Sequence, residues 1–175
     1  MKFTAIIVVL LLISACSNNS WRTASRESAG IALAPNEESR AVIQFYAADA
    51  FSWRGWFAVH PWIVIKEEQA TEYNVYEVIG WQVKNGLPAI RQYKTQTPDR
   101  YWYGAKPELL LSIKGDKAAE LIPKIKAAIL LYPWNNEYSI FPGPNSNTFV
   151  AWIGIQVPEL ELELPFRAIG SSYAD

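Results

Sequence analysis

Hydrophobic and polar positions divide the chain into segments of two periods. Ala41-Val42-Ile43-Gln44-Phe45-Tyr46 is β-branched and aromatic and predicts a strand. Trp56 to Lys66 (WFAVHPWIVIK) is a longer run of the same kind, with Pro61 marking a bulge or an edge position. Tyr73 to Trp81 (YNVYEVIGW) is a third run, and the polar stretch 67–72 between them suits a hairpin. Pairing 66 with 73 sets 62 opposite 77. Residues 82–108 carry turn signals and a short strand near Ala89 to Tyr93. After Gly115, with Asp116 as N-cap, Leu121, Ile122, Ile125, Ile129 and Tyr132 fall at helical spacing and predict an amphipathic helix over 117–131. Pro123 implies a kink in it or a later start. Pro and Gly keep residues 141–144 out of any helix, and Asn145 or Ser146 can cap one that runs to Pro158. Glu159 to Leu164 (ELELEL) alternates strictly and reads as a half-buried strand. The sum is an α+β domain over 41–175, an antiparallel sheet with flanking helices.

Ahead of that domain the pattern changes. Met1-Lys2-Phe3 is a charged start, and Thr4 to Ile13 is an apolar run of signal-peptide length, short for a permanent span. It ends in Leu12-Ile13-Ser14-Ala15-Cys16, which resembles the lipobox of bacterial lipoproteins. The resemblance implies that residues 1–15 are removed and that Cys16 takes a diacylglyceryl group. Two or three acyl chains, at about 0.8 kcal/mol per buried CH₂, then hold the protein to a membrane. Residues 16–40 would form the lipidated tether. Ser17 after the cysteine implies the outer membrane, with the domain facing the periplasm of a bacterial cell envelope.

Composition narrows the chemistry. Sixteen Lys+Arg against seventeen Asp+Glu leave a net charge of −1, a balance with no field to gather nucleic acid. The single Cys rules out a disulfide framework and a multi-cysteine metal site, and the single His rules out His-rich metal clusters. No cofactor motif appears. With Cys16 lipidated, the domain has no thiol for a cysteine-protease mechanism. Glu159, Glu161 and Glu163 read as a solvated face, and Arg91, Arg100 and Lys106 as solvated charges.

His60 is the one side chain that titrates near neutrality, and it opens a hydrophobic strand. Ser146 lies at a loop-to-helix junction, where free amides and the positive helix end favour an anion and suit acyl transfer. It also suits a plain cap. The predicted hairpin puts His60 and Glu77 on one face of neighbouring strands, so Glu77 is the candidate orienter of the imidazole, with Tyr76 the register alternative. Asn145 and Asn147 are candidate oxyanion or binding donors. Trp62, Trp81, Trp102 and Trp152 are the aromatics nearest these elements, one or two of them suited to wall a groove, with Trp62 and Trp152 the candidates.

The run PGPNSNTFV, followed by VPEL…LP…AIG, resembles the signature of an uncharacterised family of bacterial proteins over about 41–170. More distantly, His60 followed by Asn145-Ser146-x-x-Phe149 is similar to circularly permuted papain-like folds, among them NlpC-like cell-wall hydrolases and lecithin–retinol acyltransferase-like proteins. In those a His opens an early strand and an Asn-Cys pair opens a later helix; Ser146 stands here in place of the Cys. Two functions follow. One is a non-catalytic binding or structural module of the envelope. The other is a Ser146–His60 acyl hydrolase or acyltransferase acting on amide or ester bonds of peptidoglycan or lipid.

The anchor is directly testable. Mass spectrometry of the mature protein should show an acylated N-terminus at Cys16, and Cys16→Ser should leave the precursor unprocessed. An unmodified N-terminus at another residue contradicts it.

Overall fold

The computed structural model describes residues 21–175, so the Cys16 anchor lies outside the described residues. Five antiparallel strands form the sheet: β1 (Val42–Asp49), β2 (Val59–Lys66), β3 (Tyr73–Val78), β4 (Ile90–Thr95) and β5 (Glu108–Lys114), in the order β4-β3-β2-β1-β5. Three helices accompany them: a single turn α1 (Gly80–Lys84), α2 (Asp116–Leu130) and α3 (Ser146–Gln156). The fold is α+β. The β2–β3 hairpin pairs Ile63 with Tyr76 and Ile65 with Asn74, the register in which 62 lies opposite 77.

β1 and β2 are buried nearly throughout because both faces of the sheet are covered. On one face Ile43, Phe45, Ile63 and Ile65 pack with Leu121, Ile125, Phe149 and Ile153 of α2 and α3. On the other, Val42, Tyr46, Trp62 and Val64 pack with Trp102 and Ile31. Among the described residues, 28–32 and the loop 98–105 cover this second face. Asp99, fully buried, ties the two together by accepting from Ser28 Oγ and from the amides of Ile31 and Ala32.

Several expectations are corrected. The stretch assigned to the tether is, from about residue 25, part of the folded unit: Tyr101 N–H bonds Glu27 O, and the Tyr73 hydroxyl donates to Leu33 O. Glu159 to Leu164 is not a strand. Pro158–Leu160 forms a 3-10 turn and Glu161 turns left-handed at φ 49°, so the alternation has no partner strand to serve. The fifth strand is β5 instead. The run 73–81 ends as a strand at Val78, and Gly80 starts a helical turn. Gly80 sits where a Cβ would lie 2.5 Å from the Tyr138 ring, so only glycine fits. Gly115, not Asp116, is the N-cap of α2, and the helix runs continuously through Pro123.

Candidate functional site

Three segments meet at the end of the sheet: the start of β2, the turn from β3 into α1, and the start of α3. Between them opens a cleft of about 790 Å³, in the range of small-molecule sites. His60 and Ser146 both line it. Most of the wall is apolar, with Phe57, Trp81, Trp102, Tyr138 and Phe141 prominent.

Beneath the cleft lies a buried polar network. His60 Nε2 is 3.3 Å from Glu77 Oε2. Glu77 is completely buried (0% exposed) and His60 nearly so (7%). Arg100 Nη2 donates to both Glu77 oxygens at 2.9 and 3.0 Å, while its Nε donates to the Tyr93 hydroxyl at 2.8 Å. Arg91 Nη1 stands 3.6 Å from Glu77 Oε1. A carboxylate this deep must be paired, and two guanidinium groups and an imidazole surround it. The His60 ring lies flat on Trp102, centroids 3.7 Å apart and planes 9° from parallel.

These contacts set the protonation states. Burial pushes the His60 imidazole below its ordinary value and outweighs the bond to Glu77, with Arg100 adding to the effect. His60 is therefore neutral at neutral pH, with Nε2–H directed at the carboxylate. Nδ1 is left as a lone-pair acceptor with no hydrogen-bond partner among the described residues. Burial by itself would raise the Glu77 carboxyl. The hydrogen bond from His60 and the charges of Arg100 and Arg91 reverse that and hold it below its ordinary range.

The start of α3 is fastened by a different set of bonds. The Asn145 side-chain oxygen accepts from the amides of Asn147 and Thr148, a complete N-cap, and its Nδ2 donates to Ile140 O and Ile169 O. Asn147 Nδ2 donates to Val59 O at 3.2 Å and Ile169 O at 2.9 Å, and the Thr148 hydroxyl donates to Gly170 O at 2.7 Å. Gly170, at φ 91°, passes so close that a Cβ would meet Asn145 Nδ2 at 2.3 Å. The polar run thus staples helix, strand and C-terminal tail together. Neither Asn side chain has a donor left for an oxyanion. Among the described residues the Ser146 hydroxyl and its own N–H make no hydrogen bond.

Ser146 and His60 are close in the chain of contacts, since Asn147 bonds to Val59. No hydrogen bond joins them. Strand alternation explains why: His60 shares a face with Trp62 and Val64, away from the helices, while Ser146 enters from the helix side. They meet only around the end of β2. Trp62 and Trp152 are not in the cleft. Trp62 is core, stacked on Tyr46 with its indole N–H on Pro98 O, and Trp152 packs toward α2, donating to Ala128 O. The cleft instead uses Trp53, Trp81 and Trp102. Arg100, read from sequence as solvated, is the main partner of Glu77; only the loop-covered second face reveals it. Glu159 pairs with Lys124. Among the described residues no group of three or more His, Cys, Asp or Glu could hold a metal ion, and no helix is long and apolar enough to cross a membrane.

Both shifts act on stability in one direction. The unfolded chain takes up a proton on its one histidine near pH 6.5 while the folded chain resists it. The unfolded chain protonates Glu77 near pH 4.5 while the folded carboxylate stays ionised. The stability these two groups contribute is therefore fully present above pH 6.5, declines below it as the histidine share is lost, and declines further below 4.5. Denaturation midpoints followed from neutral to acid pH should show the first decline in the wild type and lose it in His60→Asn. A wild-type midpoint flat between 6.5 and 4.5 contradicts the assignment.

No curated protein and no solved structure matches the chain. One family does: residues 40–173 match that described as protein of unknown function (DUF3750), from the first strand to the tail that buttresses α3, and the chain belongs to this family.

Proposed function

We propose that this DUF3750 protein is a binding module of the bacterial cell envelope whose cleft holds an apolar ligand. The observation that carries the reading is the cleft itself. Aromatic walls of Phe57, Trp81 and Tyr138 line it with a neutral imidazole whose one free acceptor, Nδ1, has no partner among the described residues. Burying His60, Glu77 and Arg100 together is costly for stability, and such perturbed groups in a cleft mark functional sites. The envelope address rests on the lipobox-like Leu12 to Cys16 and on Ser17, which support an anchor in the outer membrane.

A second reading has its own observation. The Ser146 hydroxyl and N–H are unengaged at a helix N-terminus on the same cleft, as in the permuted papain-like comparison. Acyl transfer would need Ser146 Oγ to reach His60 Nδ1, with Glu77 holding the tautomer. The absence of that hydrogen bond, and the loss of both Asn donors to structural bonds, favour binding.

The two are separated with the full chain in phosphatidylcholine nanodiscs. The neutral fluorophore N-phenyl-1-naphthylamine should bind saturably above empty discs, and Trp81→Ala should weaken it about tenfold, the loss of about 1.4 kcal/mol of aromatic contact. No saturable binding, or binding indifferent to Trp81→Ala, overturns the reading. A fluorophosphonate should leave the wild type unlabelled; labelling that disappears in Ser146→Ala would put acyl transfer in its place.

A further inference from the structure

The chemistry of the cleft wall narrows the ligand, given the reading of the cleft as a binding site. Apart from the Ser146 hydroxyl and His60 Nδ1, its uncharged polar side chains are already committed. Ser139 Oγ donates to Phe141 O, and both Asn145 and Asn147 spend their amides on backbone carbonyls. A glycan or peptide stem needs many fresh hydrogen-bond partners, and this wall offers few.

Charge is equally one-sided. Arg54 and Lys84 line the cleft, no Asp or Glu among the described residues does, and neither cation makes an ion pair with a described residue. Arg54 is not remote from the wall. Burial raises the Tyr138 hydroxyl, and the positive charge of Arg54 offsets part of that rise.

The rim is apolar and faces water. Trp53 is 57%, Trp81 46% and Phe141 74% exposed, and Ile140 is exposed with them. Exposed aromatics gathered at one mouth mark a contact surface, and indole rings suit the boundary between apolar and wet surroundings.

We infer that the cleft takes the acyl chain of an anionic phospholipid, offered by a membrane surface on which the aromatic rim rests, with Arg54 and Lys84 meeting the headgroup. The apolar wall supplies chain burial, and the two cations select the negative headgroup.

The full chain in nanodiscs carrying phosphatidylglycerol with a diazirine in its acyl chain tests this. Irradiation and peptide mapping should place cross-links in segments 51–57, 80–84 and 138–141. Yield should be severalfold above that of the same diazirine chain on phosphatidylcholine. Arg54→Glu/Lys84→Glu, both at the surface of the cleft, should lower the phosphatidylglycerol yield to the phosphatidylcholine level. Cross-links confined to other segments, equal yields from the two lipids, or a yield unmoved by the charge reversal would each overturn the inference. So would a soluble disaccharide–peptide that displaces N-phenyl-1-naphthylamine while the lipid gives no cleft cross-link. Saturable naphthylamine binding in the same discs reports separately on the binding reading, so the failure of one is distinguishable from the failure of the other.

Discussion

Glu77 is a carboxylate with no access to water in the middle of a β-sheet, and much of the structure is arranged to keep it ionised. An uncompensated charge at that depth costs several kcal/mol. Arg100 supplies a guanidinium from a loop, Arg91 a second from the paired strand, and His60 a ring N–H from the other neighbour. Arg100 can reach Glu77 only if the loop 98–105 lies across the sheet. That placement lays Trp102 flat on His60 and sets it facing Trp81 at 6.2 Å with planes 13° apart. One side of the cleft is therefore a by-product of solving an electrostatic problem. The segment 25–32, bonded to the same loop through Asp99, holds the arrangement in place.

The other side of the cleft is built by hydrogen bonds rather than charge. Asn145, Asn147 and Thr148 fix the start of α3 to β2 and to the tail around Ile169 and Gly170. These bonds hold the start of the helix in place and use every side-chain N–H of Asn145 and Asn147. Among the described residues the Ser146 side chain makes no hydrogen bond, and it stands across the strand end from His60. The same residues that resemble a catalytic signature thus perform a structural task, and the cleft they help to form remains open and apolar.

Periodicity made much of this fold legible. The apolar runs gave β1 to β3, the hairpin spacing gave the Glu77 register, and the helical stripes gave α2 and α3. What the pattern could not carry were features whose cause is distant in sequence. β5 reads as one more apolar run until β1 is found beside it. ELELEL has perfect alternation but pairs with neither edge strand of the sheet, because a 3-10 turn opens it and a left-handed Glu161 interrupts it. Arg100 and Trp102 lie in a loop-rich stretch where charge is ordinarily solvated, so their burial depends on a loop that lies across the sheet. Trp62 and Trp152 were indistinguishable from cleft aromatics by composition, since the same hydrophobic side chain serves a core and a groove.

The single histidine makes the central claim open to one clean measurement. In the full chain labelled with ¹⁵N at histidine, the two ring nitrogens of His60 report tautomer and charge without overlap from any other residue. The account predicts, at neutral pH, a neutral ring with Nε2 protonated against Glu77 and Nδ1 bearing the lone pair, titrating below the ordinary histidine value. A ring protonated on Nδ1 with Nε2 bare, or an imidazolium at neutral pH, would contradict it.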